Sequence, residues 1–132
     1  QSDHVKRGFD DSGIDYKMWG KVAPERMPEL FNCVDVLVLP SRLEGFPLVT
    51  IEALACGANA VAADTVSTAE GIGRDNVFVL DDDFIDNISS RAAEMLARHI
   101  DQPLPEACSC AATAKKENEI YQRYLTKLPK NQ

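Results

Sequence analysis

Residues 34–57 read VDVLVLPSRLEGFPLVTIEALACG. Val34 to Leu39 is a short, mostly apolar, β-branched run of the kind that makes a buried parallel strand, and Pro40-Ser41 ends it. A loop follows from Ser41 to Phe46. Pro47 suits the first helical position, where a missing N–H does no harm, and Gly57 suits the left-handed residue just past a helix end. The stretch is therefore a strand, a loop and a helix. The N–H groups of the first helical turn, at Leu48 and Val49, are expected to be free on the loop side of the sheet, where the helix dipole is positive. Such a turn favours an anion, most often a phosphate, and Gly45, having no Cβ, lets a ligand approach the backbone closely.

Within the same stretch Glu52 is the only charged residue between Gly45 and Ala63. Leu48, Ile51, Glu52 and Ala55 share one helical stripe, which is expected to face other protein. Burying an ionised carboxylate without partners costs several kcal/mol. Glu52 is thus expected to face a ligand in a cleft or to be paired with a residue that the sequence does not reveal. Two carboxylates, Glu44 and Glu52, flank the phosphate seat. Like charges repel, so they are better suited to hydroxyl groups, which a carboxylate accepts well. A diphosphate with sugars on both sides satisfies every part of the arrangement.

Outward from this stretch the pattern alternates. Ile14 to Gly20 reads as a strand, Pro28 to Cys33 as a short helix, and Ala60 to Asp64 and Val77 to Leu80 as further short strands. Asp83 to Ile100 is a longer amphipathic helix, with Ile85, Ile88, Ala92, Met95 and Leu96 near helical spacing. Pro103 and Pro105 end it, and a last helix runs from about Glu106 to Leu125. Gln1 to Gly13 reads as a helix remnant and loop, Val66 to Glu70 as a loop and Leu128 to Gln132 as a frayed end. Strands alternating with helices predict an α/β fold with a doubly wound, mostly parallel sheet. Ligands of such sheets bind outside the carboxyl ends of the strands, where the loops at Gly20 and Ser41 would open.

The residues Glu44 to Glu52 within EGFPLVTIEALACG, preceded by VLPS, resemble the signature of retaining GT-B glycosyltransferases of the group 1 kind. The resemblance covers roughly the whole chain as part of the Rossmann-like C-terminal domain of such an enzyme. It implies that Glu44 contacts the donor sugar near the reacting centre and that Glu52 binds the ribose hydroxyls of the nucleotide. The backbone between them, from Gly45, Phe46 and Pro47 to Leu48 and Val49, would hold the diphosphate, with Ser41 at the strand end. Gly20-Lys21-Val22 resembles the family's G-x-V turn, whose backbone lies against the base. Asp64-Thr65-Val66-Ser67 looks more like the bacterial capsule, exopolysaccharide and lipopolysaccharide-core members. Two departures stand out. Ala58-Asn59-Ala60 lacks the proline that usually follows the alanine-cysteine-glycine turn, and Val66 to Glu70 lacks a glycine pair, so no role is carried onto Ser67, Thr68 or Glu70.

What the resemblance implies is transfer of a hexose from a nucleotide diphosphate sugar to a bacterial glycan, with no cofactor and no metal. Helix-terminus amides and basic residues would stabilise the departing diphosphate in place of a cation. With 132 residues the chain is one domain. It reads as a fragment or separately encoded piece of a two-domain enzyme, inactive alone, whose glycan or lipid-linked acceptor meets an N-terminal domain outside it. Other readings are a nucleotide-sugar-binding subunit that needs a partner chain and a GT-B epimerase or phosphorylase relative. A phosphorylase would need a cofactor lysine, and none is identified.

Composition narrows the partners. The formal charge of −7 disfavours nucleic acid or an anionic membrane surface as the partner of this domain. No apolar run approaches a membrane span, and no signal peptide is visible, so a cytoplasmic domain is expected, peripheral to the inner membrane in the intact enzyme. Cys33, Cys56, Cys108 and Cys110 have no zinc spacing; Cys33 and Cys56 read as small buried hydrophobes. His4 and His99 sit in polar contexts and are assigned no role. Trp19 reads as a core or domain-edge residue ahead of a base-stacking one.

Overall fold

The computed structural model describes residues 2–65 and 68–125. In chain order its elements are α1 (Ser2–Ser12), α2 (Met27–Phe31), β1 (Val36–Leu39), α3 (Leu48–Ala55), β2 (Asn59–Ala63), α4 (Thr68–Ile72), β3 (Val77–Phe78), α5 (Phe84–Arg98) and α6 (Cys110–Leu125). Short 3-10 turns precede α2, β3 and α6. The strands form one parallel sheet in the order β1-β2-β3, with Val36 opposite Asn59 and Ala62 opposite Val77. Among the described residues β1 has one strand neighbour, and its other edge is open.

Period-two alternation along β2 builds the layers. Ala60 and Ala62 pack with Leu54 of α3, Ile72 of α4 and Val77, while Val61 and Ala63 pack with Phe84, Ile88 and Met95 of α5. Helices thus cover both faces of a parallel sheet, the α/β arrangement expected from the sequence. The small residues of β2 let both layers close on the central strand, where Ala60 to Ala63 are at most 2% exposed. A third cluster joins α2 to α3, with Phe31, Ala53 and Ala58 buried and Met27, Val34 and Val49 against them.

Several expectations are corrected. Ile14 to Gly20 is not a strand; it lies outside the sheet and is mostly exposed, and a strand without a neighbour leaves its backbone groups unpaired. It is tied instead to α1, where the Phe9 and Tyr16 rings stack at 5.0 Å and the Tyr16 hydroxyl donates to the Asp10 carboxylate. That hydrogen bond and the neighbouring negative charge push the Tyr16 phenol up, the hydrogen bond being the larger cause. The helix remnant at the start is a regular helix over Ser2–Ser12. Thr68 to Glu70 belongs to α4 rather than a loop, because the chain turns directly against α3. Val66, Ser67 and the expected frayed end from Leu128 lie outside the described residues.

In α5 the buried residues are Phe84, Ile88 and Met95, while Ile85 and Leu96 are 64% and 50% exposed. The sheet face is narrow, so one row of side chains fills it. Cys33 is exposed and Cys56 half-buried, because Cys33 follows the last turn of α2 on its outer side. No helix among the described residues is long and apolar enough to cross a membrane.

Candidate functional site

The loop from Ser41 to Phe46 leaves the carboxyl end of β1 and enters α3. Ser41 and Glu44 are half-buried on it, Gly45 is exposed and Pro47 is buried. Pro47 is the N-cap of α3 rather than its first helical residue. Its carbonyl accepts both the Thr50 N–H at 3.0 Å and the Thr50 hydroxyl at 2.7 Å, which satisfies a hydroxyl that is fully buried. The Leu48 N–H, expected free for an anion, donates to the Phe46 carbonyl at 2.9 Å, because the chain turns tightly there. Among the described residues the Val49 N–H makes no such turn hydrogen bond. Gly57, at φ +87°, ends α3 as the sequence predicts, and the Ala58 N–H returns to the Ala53 carbonyl at 3.0 Å.

Glu52 does not lie in the buried stripe. The face that α3 turns inward carries Thr50, Ala53 and Leu54, and the one carrying Glu52 is open, with Leu48 62% exposed. Packing of Leu54 against β2 and α4 and of Ala53 against Phe31 of α2 selects this row and turns the carboxylate outward. Glu52 faces a cavity of about 460 Å3 whose other walls are Val22, Pro24, Met27, Pro28, Phe31, Ala55 and Cys56. Among the described residues the other walls are mostly apolar and Glu52 supplies the one charged group. Leu48 and Glu52, four residues apart, lie on one side of the helix, so about 6 Å of rise separates its first turn from the carboxylate.

Val22 also borders a second cavity, of about 490 Å3, with Trp19, Lys21, Ala23, Arg26, Glu29, Leu30 and Cys33. Gly20 enters this turn at φ +63°, a conformation that favours glycine. Trp19 is 53% exposed and outside the core, stacks on no other ring among the described residues, and has the Lys17 ammonium 3.9 Å from its ring centre.

Of the residues singled out in the sequence, Val22 and Glu52 therefore meet in one cavity and Lys21 and Val22 in its neighbour. Ser41, Glu44, Gly45, Phe46, Pro47, Leu48 and Val49 are brought together on the β1–α3 connection. Glu44 does not line the cavity that holds Glu52. Met27 and Phe31 escaped the sequence reading as site residues. Their i, i+4 spacing in α2, directly after the Gly20 turn, was the available signal. Among the described residues no cluster of three His, Cys, Asp or Glu could hold a metal ion.

Residues 2–98 match the model of the family described as glycosyl transferases group 1. The chain is 35% identical over 92 residues to the O-antigen chain mannosyltransferase B of Escherichia coli, a match covering 70% of this chain and 23% of that protein. It is 48% identical over 42 residues to the D-inositol 3-phosphate glycosyltransferase of Rhodococcus erythropolis, covering 32% of this chain and 10% of that protein. With the protein of the same name from Gordonia bronchialis it shares 41% identity over 59 residues, covering 43% and 13% of the two chains. The chain thus spans under a quarter of the length of each of these relatives.

Proposed function

The chain belongs to the group 1 glycosyl transferases, and from this premise we propose that residues 1–132 form the nucleotide-sugar-binding part of a two-domain enzyme. That enzyme transfers a hexose, with retention, from a nucleotide diphosphate sugar to a bacterial glycan or lipid-linked acceptor held by an N-terminal domain. The observation that carries the reading is the cavity of about 460 Å3 in which Val22 and Glu52 meet. Its apolar walls suit the faces of a base, and its single carboxylate suits two neighbouring ribose hydroxyls. One helical turn away, the Val49 amide and the positive end of α3 favour the diphosphate. Val49 and Glu52, three residues apart, are separated by about 4.5 Å of rise along the helix, which is within the reach from a ribose to its phosphates.

In this reading Glu44, on the loop before α3, stands at the sugar end and acts on the reacting centre, while Gly45 and Phe46 border the diphosphate. Gly20, Lys21 and Val22 present the turn that meets the base. One relative is named a mannosyltransferase, and mannose is a hexose, which supports that part of the reading. Calorimetric titration of the chain with UDP, GDP, ADP and their sugars tests the proposal. One base bound in preference to the other two is expected; no heat from any of them at millimolar concentration would overturn it.

A further inference from the structure

Among the described residues Val22 alone lines both of the cavities that adjoin α2. In the Glu52 cavity the walls besides that carboxylate are apolar side chains and the Cys56 thiol. A base held there finds little to pair the polar atoms of its edge, and such atoms cost free energy when they are left unpaired away from water. Beyond Val22 the neighbouring cavity, of about 490 Å3, is different in kind. Trp19 gives it an aromatic ring, Lys21 and Arg26 bring positive charge, and Glu29 brings a carboxylate. Helix α2 serves both cavities, with Met27 and Phe31 lining the first and Glu29 and Leu30 the second. The charged groups are available to a ligand. Arg26 Nε and Glu29 Oε2 lie 3.4 Å apart, with side chains 69% and 71% exposed, a surface pair that holds neither group firmly. Lys21 forms no ion pair among the described residues.

A base laid across Val22 with its ribose at Glu52 presents its far edge to these groups. Stacking on an indole holds any base, so the edge decides between them. Guanine carries a carbonyl oxygen beside two adjacent N–H donors, which matches a cation next to a carboxylate, since a carboxylate accepts two hydrogens at once. Uracil sets a second carbonyl oxygen against the carboxylate, and adenine offers it a single donor beside an unprotonated ring nitrogen. We infer that the cavity beyond Val22 reads the base: Glu29 accepts the N1–H and the 2-amino group of guanine, the Lys21 and Arg26 cations face its carbonyl oxygen, and the donor is a guanosine diphosphate sugar. The inference deepens the donor-site reading given above and rests on it.

The test is calorimetric titration of the parent chain and of Glu29→Gln with GDP, UDP, ADP and inosine diphosphate, whose base lacks the 2-amino group, with melting temperatures from circular dichroism. GDP is expected to bind the parent about tenfold more tightly than each of the other three. Glu29→Gln should lose about tenfold for GDP, leave UDP and ADP unchanged and melt like the parent. A preference for UDP or ADP, or inosine diphosphate bound as well as GDP, would overturn the guanine assignment while leaving the donor site standing. So would a GDP preference that survives in Glu29→Gln, or an equal loss for all the nucleotides, which would make Glu29 structural. A parent chain that binds none of the four would overturn the donor-site reading and this inference with it.

Discussion

The side-chain oxygen of Gln102 accepts the backbone N–H of Ala60 at 2.8 Å, across 42 positions of sequence. It stands where a longer β3 would have supplied a strand neighbour, since β3 pairs with β2 only at Ala62 and Ala63. The same amide donates to the Ile72 carbonyl at 2.7 Å, and the Gln102 N–H returns to the Asn59 side chain at 2.9 Å. One side chain thus joins β2, α4 and the segment that follows α5.

Gln102→Ala should destabilise the fold by about 1–3 kcal/mol, the cost of leaving a buried donor without a partner. Ala60 is completely buried with Gln102 in place, so its N–H depends on that side chain for an acceptor. Gln102→Glu should lose a comparable amount at neutral pH, because it turns an oxygen toward the Ile72 carbonyl. Urea unfolding midpoints measure both. A midpoint unchanged in either variant would show that the bridge is dispensable.

Glu52→Ala should weaken nucleoside diphosphate binding by about 1.5–3 kcal/mol, the range for hydrogen bonds to a charged group. The melting temperature should hardly move, because Glu52 is exposed and forms no ion pair among the described residues. Parallel calorimetry and thermal melts separate the two. A variant that binds like the parent but melts earlier would make Glu52 structural.

Glu44→Gln is expected to lower kcat in an enzyme that includes the acceptor-binding portion, with a much smaller effect on nucleotide affinity. Interactions made chiefly in the transition state act on turnover. Steady-state kinetics of sugar transfer, set beside nucleotide titrations, is the measurement. A loss confined to KM would move Glu44 from catalysis to binding.

Acid should remove one stabilising contribution in a defined window. Arg91 and then Arg98 hydrogen-bond the Glu94 carboxylate, at 2.6 and 2.8 Å, and hold its pKa below the ordinary 4.5. The contribution is present above the ordinary value and is lost as the pH falls through the lower, folded value. Melting temperatures of the parent and of Glu94→Gln should therefore converge as the pH drops below about 4.5. A gap between them that stays constant down to strong acid would exclude the ion pairs as its source.

The strand, loop and helix at residues 34–57 were legible because each had a local cause: β-branched apolar residues in β1, a proline at the entry of α3 and a glycine at its exit. Which face of α3 is buried was not legible. Leu48, Ile51, Glu52 and Ala55 form as regular a stripe as Thr50, Ala53 and Leu54, and only the neighbours in β2, α2 and α4 decide between them. Ile14 to Gly20 failed for a related reason, since a strand exists only where another strand accepts it. The Glu52 cavity needed α2, whose Met27 and Phe31 approach α3 through tertiary packing alone.

The open edge of β1 bears on how the chain behaves in a concentrated solution. No strand among the described residues pairs with that edge, so it offers a template that a strand from another molecule can extend, and Val38, 45% exposed, adds an apolar surface to the same strand. The purified chain should therefore turn cloudy as its concentration rises. Val38→Lys would place a charge where edge-to-edge growth must bury it, and should keep the solution clear without disturbing the Glu52 cavity.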